Sequence, residues 1–214
     1  RDGRALGLAG FSGGGKSTLM LRLMEAPEWH YLTNDRLLVR QHSGTVDCRG
    51  IPKMPRVNPG TLLHNPRLSV LVDRRRAAAL RSLPPAELWS IEEKHDVMVA
   101  EHYGADRLAH EARLSTLVVL NWSHTGRHAP RLTPVDLQQR DDLLGAVMKS
   151  PGPFYQDAQG QFLRDTTPLD ADAYRRALQG VAVHEVSGRV DFEGLAGALA
   201  GAVWDESAEG RHAS

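Results

Sequence analysis

Gly10-Phe11-Ser12-Gly13-Gly14-Gly15-Lys16-Ser17-Thr18 has the residue types and spacing of a phosphate-binding loop, Gly-x4-Gly-Lys-Ser. The glycines Gly10, Gly13, Gly14 and Gly15, with Ser12 and Thr18, let successive backbone N–H groups turn toward phosphate oxygens. Lys16 then reaches the β and γ phosphates, and the Ser17 hydroxyl ligates Mg²⁺. These residues name ATP and Mg²⁺ as the expected cofactors. Residues 29–32 read as a second short strand ending at Thr33-Asn34-Asp35, which puts Asp35 at a strand's carboxyl end. In open α/β sheets, ligands bind at the carboxyl ends of the strands.

The elements around the loop suit it. Residues 5–9 form a short apolar run fit for a buried strand, and residues 16–25 are rich in helix formers. A hairpin is expected over 37–48 around Ser43-Gly44. Residues 50–66 carry four prolines and two glycines and read as an irregular, restricted loop. In that loop Lys53 and Arg56 are either anion clamps or solvated cations. Residues 68–73 end in Asp73 and are the nearest approach to a Walker B strand, but a longer helix running to Pro84 competes with that reading. A helix is expected to start in 86–89, and the charged segment 90–97, with Glu92, Glu93 and Lys94, suits an active-site rim.

The strongest buried strand is 114–120, followed by Asn121-Trp122. His124 and His128 have the i, i+4 spacing of a metal pair, with Gly126 between them and no third ligand apparent. Helices are expected over 136–149, 168–179 and 192–204, a tight loop at 150–153, and a strand over 181–186.

Composition narrows the classes. The chain has 214 residues, 41% of them apolar, enough for one substantial domain over 1–204 followed by a flexible tail at 205–214. The 26 basic and 26 acidic residues cancel, so nucleic acid and membrane partners are not expected. Only four of the basic residues are lysines: Lys16, Lys53, Lys94 and Lys149. The lone Cys48 is expected to pack in the core, and the absence of a signal-peptide pattern or a long apolar run suits a cytoplasmic protein. The chain begins at Arg1 rather than Met, which fits the C-terminal part of a longer protein.

Several landmarks in order resemble HPr kinase/phosphorylase and its HPr-kinase-related B-type branch. They are the phosphate loop, the strand ending Asn34-Asp35-Arg36, Asp96-Val97 followed by Tyr103-Gly104, and the long apolar strand ending at Trp122. The resemblance implies an α/β fold with a P-loop kinase core of the HPr kinase and PEP carboxykinase type, a mixed central sheet with flanking helices. It implies Asp35 as the base that takes the acceptor's proton, Lys16 as the phosphate lysine, Ser17 as a metal ligand, and Glu92 or Glu93 as a second metal ligand. Asn34 replaces the first acid of the family's pair, and the Glu-Ile-Arg-Gly signature is missing, so HPr is not carried over as the substrate.

The expected activity is phosphoryl transfer from ATP to a small anionic acceptor such as D-glutamate, with Asn34, Arg36, Lys53, Arg56 and Lys94 as acceptor-side residues. A protein serine kinase acting on HPr or another carrier, and a regulatory NTPase module, are the alternatives, and homo-oligomerisation is left open. Against a GTPase, no Asn-Lys-x-Asp motif occurs; Asp157-Ala158-Gln159-Gly160 matches Asp-x-x-Gly only in a downstream polar loop.

Overall fold

In this computed structural model the described residues are 1–51, 53–163 and 166–201. The sequence opens with strand β1 (Arg4–Gly10), the glycine loop and helix α1 (Lys16–Leu23). Strands β2 (Leu37–His42) and β3 (Thr45–Gly50) form the expected hairpin, its two-residue turn holding Ser43 and Gly44 at φ 47° and 77°. Such left-handed pairs match the twist of the strands they join. Beyond it lie β4 (Arg56–Val57), α2 (Pro59–Leu63), α3 (Arg74–Arg81), α4 (Pro85–Ser90), β5 (His95–Asp96) and α5 (Val99–Tyr103). The remainder is β6 (Glu111–Leu120), β7 (Arg131–Pro134), α6 (Asp141–Val147), α7 (Ala171–Ala177), β8 (Ala182–Ser187) and α8 (Phe192–Ala200).

A mixed six-stranded sheet organises these pieces, with order β2-β3-β6-β8-β7 and β1 also paired to β6. Strands β1 and β8 both run parallel to β6, in registers that match Gly10 to Leu120 and Leu120 to Val186. Their carboxyl ends therefore share one edge, and the glycine loop leaves from that edge. β3 meets only the start of β6, antiparallel, through Asp47↔Arg113 to Arg49↔Glu111.

Alternation along the strands fills two cores. Val118, Leu120 and Val186 face a cluster with Leu19 and Leu21 of α1, Met24 just past its end, Leu195 and Leu199 of α8, and residues of α2 to α5. Leu117, Val119 and Val183 face the other cluster, with Leu143 and Leu144 of α6, Leu178, and Val46 and Cys48 of β3. Helices thus flank both faces of the sheet.

Several expected elements differ. Residues 29–32 are not a strand; Tyr31 makes a single parallel bridge to Leu108, its N–H donating to Arg107 O at 2.7 Å. The Arg107 guanidinium donates to the carbonyls of Met24, Ala26 and Trp29, so it holds the end of α1 and the turn that follows where a strand was expected. Residues 69–71 form one 3₁₀ turn, and the Asp73 carboxylate accepts from the N–H groups of Arg75 and Arg76 at 3.0 Å each. Asp73 is the N-cap of α3, which rules out both a Walker B strand and an unbroken helix through it. The helix expected over 136–149 divides into a 3₁₀ turn at 137–139 and α6, because Arg140 leaves helical geometry at φ −130°, ψ 71°. The proline-rich loop contains β4 and α2, and β7 carries too little apolar alternation to have been anticipated. The expected helix over 192–204 is seen to Ala200; its end and the tail at 205–214 lie outside the described residues.

Candidate active site

Loop conformation starts from the glycines. Gly13 and Gly15 take φ 77° and 82°, the left-handed region in which a Cβ is strained. Gly15 has a second reason to be glycine: a Cβ there would stand 2.6 Å from the Phe192 ring. Phe192 packs edge-on against Trp122 at 5.1 Å between centroids, and the Trp122 indole N–H donates to Gly14 O at 2.9 Å. The end of β6 and the start of α8 thus brace the loop from behind. Lys16 Nζ donates to the carbonyls of Gly10 and Phe11, both at 2.8 Å, which holds its ammonium against the start of the loop.

The backbone around Asp35 is held with equal economy. Thr33 Oγ1 lies 3.0 Å from the carbonyl oxygens of both Arg36 and Ile51, which share its one proton, and Ile51 N–H donates to Arg36 O. Gly50 is required by close approach, since any Cβ would collide with the Leu32 carbonyl. Asp35 therefore sits in a bend pinned to the base of the hairpin, not at a strand's end.

Around this carboxylate the cations converge. Lys149 Nζ lies 2.6 Å from Oδ1; Arg36 Nη1 lies 2.6 Å and Lys53 Nζ 3.4 Å from Oδ2. Lys16 is near enough to feel both Lys149 and Asp35. Burial pushes the Asp35 pKa up, but the hydrogen bond from Lys149 and the charges of Lys149, Arg36 and Lys53 together outweigh it and hold the carboxyl below its ordinary range. Burial also lowers the Lys16 pKa, Lys149 lowers it further, and Asp35 opposes. Tyr31, whose hydroxyl donates to the Lys53 carbonyl, is pushed up by burial and by Asp35, so it stays a donor.

Lys149 is the member of this group that sequence reasoning missed. It follows α6, and its backbone is bracketed by Tyr174: its N–H donates to Tyr174 Oη at 3.2 Å, and that hydroxyl donates to its carbonyl at 2.8 Å. Arg36 Nε donates to Ser150 O at 2.8 Å, tying the two loops together. The usable signal was scarcity: of four lysines among 26 basic residues, two pair with one carboxylate and a third feels its charge.

The remaining expected residues stand elsewhere. Arg56 pairs with Asp96 across β4 and β5 at 3.1 Å, and Lys94 pairs with Glu92 at 3.4 Å. Glu92 also accepts from Asn58 at 3.1 Å; Asn58 immediately precedes α2, whose Thr61 hydroxyl bonds Thr18 Oγ1 at 2.7 Å. Glu93 turns away to Arg76 at 2.7 Å and His95 at 3.3 Å, and the hydrogen bond from Arg76 lowers its pKa. Glu92 is thereby linked to the glycine loop through α2, whereas Glu93 is anchored to α3. Asn34 is half-buried in the bend before Asp35. Among the described residues no group of three or more His, Cys, Asp or Glu could hold a metal, so His124 and His128 form no zinc site of that kind. No helix is long and apolar enough to cross a membrane among those residues.

A polar cluster unforeseen in the sequence lies on the same sheet edge. Glu185 of β8 accepts from Asn121 Nδ2 at 2.7 Å and from Arg140 Nη1 at 2.8 Å, and Arg140 forks on to Asp142. Those bonds, Arg140 first, hold the Glu185 carboxyl below its ordinary range.

No family model and no curated protein matches the chain. Among solved structures it is similar to the HPr(Ser) kinase/phosphatase from Coxiella burnetii, at 9% identity and a TM-score of 0.44, over 95% of this chain and 88% of that one.

Proposed function

We propose that this protein is an ATP- and Mg²⁺-dependent phosphotransferase that passes the γ-phosphoryl group to a small anionic acceptor. The observation that carries the reading is the convergence of Lys16, at the mouth of the glycine loop, with an ionised Asp35 that is itself flanked by Arg36, Lys53 and Lys149. Phosphoryl transfer asks for charge neutralisation, positioning and a base beside the nucleophile, and little else.

The residues fit the nucleotide. Gly13 and Gly15 adopt the left-handed backbone of an anion cradle, nothing stands within 4 Å of a Cβ at Gly13, and Lys16 lies alongside. Ser17 and either Glu92 or Glu93 are the groups to hold Mg²⁺, whose bound charge neutralises oxygens of the phosphates. On the acceptor side, Asp35 takes the hydroxyl or carboxyl proton, if one is present, as the acceptor oxygen bonds to phosphorus and the bond to the β-phosphate oxygen breaks with its electron pair. Four cations against one carboxylate leave an excess of positive charge that suits a triphosphate together with an acceptor bearing its own anionic group.

The reading is tested with γ-labelled ATP, Mg²⁺ and a panel of acceptors that includes D-glutamate, L-glutamate and a seryl carrier protein. Label in a small acid is the expected outcome. Label confined to the carrier protein overturns the small-acceptor assignment in favour of a protein kinase, and tight GTP preference with no labelled product favours a regulatory module.

A further inference from the structure

Asp35 presents a chemical problem as a base: both of its oxygens are already engaged. Lys149 occupies Oδ1 at 2.6 Å, while Arg36 at 2.6 Å and Lys53 at 3.4 Å share Oδ2. Three cationic donors leave this carboxylate one lone pair, on Oδ1 beside the Lys149 ammonium, and make it a weak base. The three partners are not equally fixed. Arg36 is tethered by its own Nε to Ser150 O and lies under the Phe154 ring at 5.6 Å, with its side chain 18% exposed. Lys149 is held by Tyr174 at its backbone and by Asp35 at its ammonium, and its side chain is 54% exposed. It is also the cation whose charge acts on Lys16.

We infer that Lys149 is a mobile positioning lysine: it blocks Asp35 Oδ1 until a triphosphate lies beside Lys16, then transfers its ammonium to the terminal phosphate and releases Oδ1 to receive the acceptor's proton. The inference rests on the phosphotransfer reading. Its balance is simple. Lys149 keeps its proton throughout and exchanges one anionic partner for another; with a hydroxyl acceptor the proton that moves leaves the acceptor oxygen and ends on Oδ1, whereas a carboxylate acceptor brings no proton and gains only the removal of Lys149 from Asp35 to the phosphate. A diphosphate lacks the terminal phosphate and leaves Lys149 on Asp35, so the base is armed only when there is a group to transfer. The flexible four-carbon stem and point charge of a lysine suit this exchange better than a planar guanidinium.

Lysine scarcity makes the test direct. The whole chain labelled with [13Cε]lysine gives four signals, assigned by single Lys→Arg variants. Asp35 13Cγ is followed through a pH titration in parallel. With Mg²⁺ and the β,γ-imido analogue of ATP, the Lys149 signal is expected to shift and the Asp35 midpoint to rise; with Mg²⁺ and ADP, Lys16 shifts while Lys149 and the Asp35 midpoint do not. Lys149→Met should raise the midpoint without any nucleotide and abolish the further rise on adding the analogue, and Lys149→Arg should keep the low starting value. If both nucleotides move Lys16 but neither distinguishes Lys149, the exchange is refuted and nucleotide binding stands. If neither moves Lys16, the phosphotransfer reading itself fails and the inference falls with it.

Discussion

Replacing Asp35 by Asn removes one negative charge from beneath three cations while keeping the side chain's size. Exposed ion pairs contribute about 0–1 kcal/mol, and breaking a buried pair costs about 3–5 kcal/mol. The pair with Arg36 joins side chains 22% and 18% exposed and falls between those limits; Lys53 and Lys149, at 51% and 54%, belong near the exposed one. The sum is about 2 kcal/mol, or about 1 M in the urea midpoint for a slope near 2 kcal/mol per M. Because the folded-state pKa of Asp35 is lowered, this stabilisation is fully present above the ordinary carboxylate pKa and is lost as pH falls through the folded value. The stability gap between wild type and Asp35→Asn should therefore stay constant around neutrality and close in acid, below about pH 4. Phosphoryl transfer should drop by about 10²–10⁴, the usual contribution of a positioned base. Mg·ATP should bind at least as tightly, since an anion beside the triphosphate has gone. Asp73→Asn is the control: Asn caps a helix as well as Asp, so stability and transfer should both be nearly unchanged. Transfer lost in Asp73→Asn and kept in Asp35→Asn would refute the assignment of the base, and a stability gap that persists undiminished at pH 2 would refute the electrostatic account of Asp35.

Three further outcomes are open to measurement. Gly50→Ala places a methyl group against the Leu32 carbonyl, which is backbone and cannot yield, so it should cost more than Gly44→Ala, where only a left-handed φ is strained at about 1–3 kcal/mol; paired chemical denaturation of the two variants decides this. Trp122→Phe retains an aromatic ring against Phe192 but loses the hydrogen bond to Gly14, so stability should fall by about 1 kcal/mol and nucleotide affinity, read by fluorescence titration, should weaken with it. Cys48 is buried in the second core and its thiol is pushed up to about 11, chiefly by burial. A thiol reagent at neutral pH should modify it only at the rate of unfolding, and rapid reaction in the native state would contradict its placement.

What could be read from the sequence was local. The glycine loop between an apolar strand and a helix, the Ser43-Gly44 hairpin and the buried strand through Leu120 each declare themselves within a dozen residues, through backbone sterics and hydrophobic alternation. Asp35 was identified as the candidate base, yet the reason was inexact: a bend pinned by Thr33 and Gly50 presents it, not a strand end. Asp73 shows the same limit, because a carboxylate after an apolar run looks alike whether it ends a strand or caps a helix, and only the N–H groups of Arg75 and Arg76 distinguish the two. One member of the charged cluster, Lys149, belonged to the tertiary structure alone. Lys149 stands 114 positions from Asp35, and no local pattern connects them. The register that sets β1 against β6, the packing of α6 over that sheet and the bond from Arg36 to Ser150 bring the two loops together. Sequence determined the glycine loop and its place between strand and helix; packing decided which cations surround the carboxylate beside it, since charge acts through space and not along the chain.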